Sequence, residues 1–227
     1  MKFGVVTFPG SNCDEDMVYV LSDMLGQKVE KLWHKDTDLK NVDFVVLPGG
    51  FSYGDYLRSG AIAKFSPIMT EIIAHANKGG YVMGICNGFQ ILTESGLLPG
   101  ALLHNNTQKF ICKNVHLKPI SQSSAITKGL EDKAYKIPIA HGEGRFYAPA
   151  GTMKSIEDND QIIFKYASES GVISDEFNPN GSLNNIAGIS NSAKNVFGMM
   201  PHPERAADGV LSNLDGKAIF ESLLKYC

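Results

Sequence analysis

In the first hundred residues, short continuous apolar runs alternate with longer amphipathic stretches, and this rhythm narrows the folds open to the chain. Positions 3–8, 29–33, 44–47 and 81–85 read as strands, and 17–25 and 61–76 as helices. Near-continuous rather than alternating hydrophobicity marks strands covered on both faces, which is the pattern of a parallel sheet. Strand–helix alternation then predicts a doubly wound α/β core. From about residue 101 the rhythm changes. Strands are expected at 111–120, 134–140, 161–167, 186–190 and 196–200, with a hairpin loop at 191–195 and a closing helix at 217–226. The second half therefore reads as a mixed or antiparallel extension of a mostly parallel sheet. No repeat or Pro/Ser-rich linker divides the 227 residues, so a single domain over 1–227 is expected.

Composition excludes several classes of function. Twenty-one basic and 24 acidic residues give a net charge of −3, with no basic excess to suit nucleic acid or an anionic membrane. No apolar run approaches the ~20 residues of a membrane span. The N-terminal apolar stretch breaks at Pro9-Gly10, too early for a signal peptide. Four Cys in a chain this long do not make a disulfide framework. A cytoplasmic location is expected.

The sharpest local signal is Gly84-Ile85-Cys86-Asn87-Gly88, which follows an apolar strand and precedes a helical run. A nucleophile between two glycines at a strand-to-helix turn is the nucleophile-elbow arrangement, with Cys in place of Ser. Small flanking residues suit a crowded turn, and the helix N-terminus that follows favours negative charge. The alternative is an inert core Cys. A thiol nucleophile needs a base, and Met200-Pro201-His202-Pro203-Glu204 supplies one. His and Glu two apart in extended backbone point to the same side, which suits an imidazole held by a carboxylate. A third piece is Pro48-Gly49-Gly50 at the end of an apolar strand, where a glycine lets a backbone N–H approach a substrate oxygen closely. The acid follows the His along the chain, unlike the order in α/β-hydrolases.

Together, Pro-Gly-Gly at 48–50, Gly-x-Cys-x-Gly-x-Gln at 84–90 and His-Pro-Glu at 202–204 resemble the triad (class I) glutamine amidotransferases. Longer blocks at 9–14, 50–63, 86–101, 141–148 and 178–205 are similar to the branch of that family that feeds ammonia to an ATP-dependent synthetase of purine biosynthesis. The resemblance implies a flavodoxin-like, three-layer α/β fold. It implies glutamine hydrolysis through a Cys86 thioester, with His202 as acid–base and Glu204 orienting it. Gly50 and Asn87 would offer oxyanion N–H groups, and Gln90 would contact the bound L-glutamine. It implies a larger synthetase subunit, which would bind ATP and Mg²⁺, and a small accessory subunit.

This chain is expected to carry no cofactor of its own. It has no Walker A sequence, since Gly216-Lys217-Ala218 lacks both spacing and hydroxyl. No metal site is expected either, because His141-Gly142-Glu143-Gly144-Arg145 has no second cluster at ligand spacing and reads as a shaped loop, placed at a subunit contact. Cys13, Cys112 and Cys227 read as structural or unreactive, and His34, His75, His104 and His116 as solvated or packed. Tyr53, Asp55, Tyr56 and Arg58, which follow the glycine loop, are candidates for partner docking. The competing readings are a glutaminase of another synthase, a Cys hydrolase or peptidase on a related sheet, and a non-catalytic interaction subunit.

Overall fold

The computed structural model describes residues 1–227 and divides into two compact units. The first contains Met1–Leu98 and Asn195–Gly198; the second contains Pro99–Lys194 and Met199–Cys227. No helix is long and apolar enough to cross a membrane.

The first unit opens with β1 (Lys2–Thr7) and α1 (Asp14–Tyr19), whose last turn widens into a π-helical stretch at Val20–Met24. Strands β2 (Lys28–Trp33) and β3 (Phe44–Leu47) follow, then α2 (Pro67–Asn77), β4 (Tyr81–Ile85) and α3 (Asn87–Glu94). β1 pairs in parallel with β2 and β3, and β3 in parallel with β4, the register running from Phe44↔Tyr81 to Leu47↔Gly84. The four residues of β3 and the interior of β1 are all buried, as strands covered on both faces require. The doubly wound α/β core is therefore present. Helix α2 begins six residues later than its apolar pattern suggests. Pro67 occupies its first turn and Ser66 before it is extended, as a residue preceding proline tends to be.

The second unit begins with β5 (Ala101–Leu103), β6 (Ile111–Pro119), α4 (Ala125–Lys128) and β7 (Tyr135–His141). It continues through β8 (Arg145–Tyr147), α5 (Ala150–Asp158), β9 (Ile162–Ala167) and β10 (Ile186–Ser190). Every pairing among these strands is antiparallel: β6 with β7 and β9, β9 with β10, and β5 with β8 as a separate two-stranded ribbon. After a turn at 191–194 the chain enters β11 (Val196–Met199), most of which belongs to the first unit. It then returns to the second unit, ending in α6 (Asp215–Tyr226). Helix α6 packs on α4, where Ser222 Oγ donates to the Ala125 carbonyl at 2.7 Å and accepts from the Gly129 N–H at 2.9 Å.

Candidate active site

Cys86 stands between β4 and α3 with φ 51° and ψ −105°, a backbone conformation that costs an L-residue on the order of 1–3 kcal/mol. The turn persists because its neighbours leave it no alternative. A Cβ on Gly84 would come within 2.5 Å of the Gly88 carbonyl oxygen, and one on Gly88 within 1.9 Å of the Leu47 carbonyl oxygen. The two glycines thus let the start of α3 settle directly onto the ends of β3 and β4. Cys86 itself is buried, as are Asn87 and Gln90.

Gly50 follows β3 by three residues. Its φ of 152° lies in the region that favours glycine, and a Cβ there would approach Ser11 Cα at 2.8 Å. A β-bridge between Ser11 and Gly50 and a hydrogen bond from the Cys13 N–H to the Gly49 carbonyl (3.2 Å) pin this loop to the segment after β1. The Asn87 side chain pins it to α3: its Oδ1 accepts from the Ser52 N–H at 3.0 Å, while its Nδ2 donates to Gln90 Oε1 at 2.9 Å. The first unit therefore brings Cys86, Asn87, Gln90 and the Gly50 loop into one bonded assembly.

The second unit holds His202 and Glu204. His202 Nδ1 lies 2.6 Å from Glu204 Oε1, with both side chains almost fully buried. A carboxylate only accepts, so Nδ1 carries the proton in this pair and Nε2 is left as the basic nitrogen. The predicted partnership is present, but the predicted extended backbone is not. Pro203–Ala206 forms a 3₁₀ turn, and that turn folds Glu204 back onto the imidazole. The His202 N–H donates to the Pro138 carbonyl of β7 at 2.9 Å, and the start of α6 packs so closely that a Cβ on Gly216 would meet the Pro203 carbonyl oxygen at 2.0 Å.

The sequence reading missed what surrounds this pair. His141, expected in a shaped loop, is buried at the end of β7. Its Nδ1 is 3.1 Å from Asn105 Oδ1. Asn105 Nδ2 donates to the carbonyls of Lys109 and His141, and its Oδ1 accepts the Gly144 N–H, so backbone partners fix the amide and thereby put the His141 proton on Nδ1. Burial, then the charge of His202, pushes the His141 imidazole down to about 4. A Cβ on Gly144 would lie 2.3 Å from the His141 ring, which explains the second glycine of the motif. Asn180 and Ser182 extend this network by donating to the Gly144 carbonyl. The sequence signal was there as the polar residues Asn105, Asn180 and Ser182, but none of them falls on an apolar period.

The other cysteines and histidines are placed as follows. Cys13 is buried, Cys112 is exposed on β6, and burial pushes the Cys227 thiol up to about 12. His34 is packed, with its Nδ1 2.7 Å from the Tyr53 hydroxyl. Among the docking candidates, Tyr56 is three-quarters exposed and Arg58 pairs with Glu94 at 2.5 Å.

A strained cysteine at a strand–helix elbow, with a glycine loop beside it and a carboxylate-held imidazole elsewhere on the chain, is the residue set expected of the triad glutamine amidotransferases. The chain belongs to the CobB/CobQ-like glutamine amidotransferase domain family, whose model matches residues 1–227. It is 57% identical over 226 residues to the phosphoribosylformylglycinamidine synthase subunit PurQ of Trichormus variabilis, covering 99% of this chain and 97% of that one. The same subunit of Moorella thermoacetica is 53% identical over 227 residues, covering 100% and 96%. Among solved structures, that of PurLQS from Thermotoga maritima matches with a TM-score of 0.84 and 41% identity, covering 99% of this chain and 98% of that one.

Proposed function

We propose that this chain is the glutaminase subunit of a phosphoribosylformylglycinamidine synthase, its two units acting together as one glutaminase domain in the cytoplasm. It hydrolyses L-glutamine and hands the ammonia to a synthetase for de novo purine biosynthesis. The observation that carries the reading is Cys86, held at φ 51° between two glycines where an added Cβ would meet backbone carbonyl oxygens.

In this reading Cys86 Sγ gives its proton to His202 Nε2 and attacks the side-chain amide carbon of glutamine. The Gly50 and Asn87 N–H groups hold the tetrahedral oxyanion, each such donor being worth about 3 kcal/mol. His202 then protonates the departing nitrogen as the thioester forms, and takes a proton from the water that hydrolyses it. Glu204 keeps Nδ1 protonated and stabilises the imidazolium throughout. Gln90 contacts the bound glutamine. Asn195, whose carbonyl accepts the Val82 N–H of β4, and Gly198, which packs on Phe89 of α3, hold β11 against the elements that carry Cys86. His202 follows Gly198 by four residues.

The Thermotoga maritima match is a PurLQS assembly. We infer the corresponding partners here: a larger synthetase that binds ATP, Mg²⁺ and formylglycinamide ribonucleotide, and a small accessory subunit. The subunit itself needs no cofactor for the chemistry above. Free ammonia is largely protonated near neutral pH, so delivery calls for a protected path. The test is Cys86→Ala in the reconstituted complex. Glutamine-dependent synthesis should vanish while ammonia-dependent synthesis persists. Loss of both would show that Cys86 is structural, and retention of both that the nucleophile lies elsewhere.

A further inference from the structure

We propose that the Asn87 side chain is a positioning residue: its buried amide sets the orientation of Gln90 and ties the loop after Gly50 to the helix that begins at the nucleophile. This rests on the glutaminase reading above, and it assigns the side chain a task distinct from that of the Asn87 backbone N–H.

The backbone decides which way the Asn87 amide is turned. The Ser52 N–H can only donate, so the Asn87 atom facing it at 3.0 Å must be Oδ1. That fixes Nδ2 on the other side, where it donates to Gln90 Oε1 at 2.9 Å and reaches Asp55 Oδ1 at a longer 3.4 Å. With Oε1 turned toward Asn87, the Gln90 amide presents its Nε2 donors on its opposite edge. Any group met on that edge must therefore be an acceptor, and in the glutaminase reading an oxygen of the bound glutamine meets that requirement. The whole clamp is desolvated, with Asn87 2% and Gln90 5% exposed, so a wrongly turned amide would strand a buried polar atom.

The other arm of the clamp holds a strained segment. Tyr53, Gly54, Asp55 and Leu57 all have positive φ, three of them without being glycine. Such a backbone persists only where its surroundings over-determine it. Tyr53 is also held, its hydroxyl 2.7 Å from His34 Nδ1 and 2.8 Å from Ser66 Oγ, while Tyr56 and Leu57 are 76% and 89% exposed. Of the residues on α3, Asn87 is the one whose amide grips this segment, through Ser52 two residues beyond Gly50. The same amide therefore bears on ligand recognition at Gln90 and on the loop that carries the Gly50 N–H.

Two variants separate the arms, measured in the reconstituted synthase complex. Asn87→Asp keeps an acceptor for Ser52 but lacks the donor, so Gln90 turns its Nε2 toward the new carboxylate. The KM for glutamine should rise about tenfold, the scale of one misdirected hydrogen bond, with kcat within about threefold of wild type. Asn87→Ala releases both arms, so kcat should also fall about tenfold. In both variants, ammonia-dependent synthesis should stay within about twofold, because the partner has not changed. Gln90→Glu, which removes the Nε2 donors directly, should reproduce the KM rise and not add to it in the double variant with Asn87→Asp. A wild-type KM for Asn87→Asp, additive effects in the double variant, or loss of ammonia-dependent synthesis alongside glutamine-dependent activity would each overturn the proposal. Glutamine-dependent activity in Cys86→Ala would instead remove Cys86 as the nucleophile, the premise on which this proposal rests.

Discussion

In the first unit the reactive turn is held by backbone: Gly84 and Gly88 remove two Cβ atoms, carbonyl oxygens of Leu47 and Gly88 fill the space, and Cys86 is forced to a positive φ. In the second unit the reactive group is held by side chains: Glu204 grips His202 through a 3₁₀ turn, and Asn105, Asn180 and Ser182 build the buried polar surroundings of His141. Steric fixation tolerates almost no added volume but is indifferent to pH. Fixation by hydrogen bonds tolerates small changes of shape but depends on protonation state. The two halves of the proposed catalytic set should therefore fail in different ways.

The largest expected effect comes from charge in the second unit. Glu204→Gln preserves the shape beside His202 but removes the charge that stabilises the imidazolium. Glutamine-dependent kcat should fall about 10³-fold, roughly 4 kcal/mol, with ammonia-dependent synthesis unaffected. Steady-state assays of the complex with each nitrogen source check this, and a loss under tenfold would demote Glu204 to a packing role. Next comes volume in the first unit. Gly88→Ala places a methyl where the Leu47 carbonyl oxygen already sits, at 1.9 Å. Because the obstacle is backbone rather than a flexible side-chain end, we expect about 3 kcal/mol of lost stability, read by denaturant unfolding, together with loss of Cys86 labelling by a glutamine analogue.

The same contrast decides what was legible in the sequence. Apolar runs such as 44–47 announce buried parallel strands directly, and Gly-x-Cys-x-Gly announces a crowded turn because each residue type has one steric reason to be there. The 51–65 segment was not legible. Tyr53, Asp55 and Leu57 take left-handed backbone that their residue types do not advertise, and Ser66-Pro67 delays the helix that the apolar pattern starts at 61. In the second unit α5 and the β5–β8 ribbon carry little periodic signal. His141 owes its environment to residues 36 to 39 positions away along the chain, which no local pattern encodes. His202 and Glu204 were paired correctly on chemistry, but their geometry was misjudged because Pro203 starts a 3₁₀ turn where an extended strand was expected.

A third experiment probes protonation in the second unit alone. The His141 imidazole titrates near 4 when folded and near its ordinary 6.5 when unfolded, because burial and the neighbouring His202 disfavour the cation. Between those values the unfolded chain binds the extra proton, so stability rises with pH across this window and is lost as pH falls through it. Lowering the pH from 7.5 to 5 should cost about 2 kcal/mol from this group, and His141→Gln should flatten that part of the profile. Urea midpoints for both proteins at the two pH values give the comparison. An identical slope in the variant would mean that other groups carry the dependence.

The smallest effects fall within one motif, where the two glycines of His141-Gly142-Glu143-Gly144 look equivalent in sequence but not in space. A Cβ on Gly144 would lie 2.3–2.6 Å from three atoms of the His141 ring, and that ring cannot withdraw without breaking its bond to Asn105. A Cβ on Gly142 would meet only Phe110, at an ordinary 3.9 Å, and Gly142 has no positive φ to defend. Gly144→Ala should therefore lower stability by about 1–2 kcal/mol and shift the His141 titration, as the ring is displaced from its polar partners. Gly142→Ala should change stability by no more than about 0.5 kcal/mol, since its carbonyl can still accept the Asn105 N–H. Equal costs at the two positions would mean that the motif is fixed by its backbone, as the Cys86 elbow is, and the division between the two modes of fixation would then not hold within the second unit.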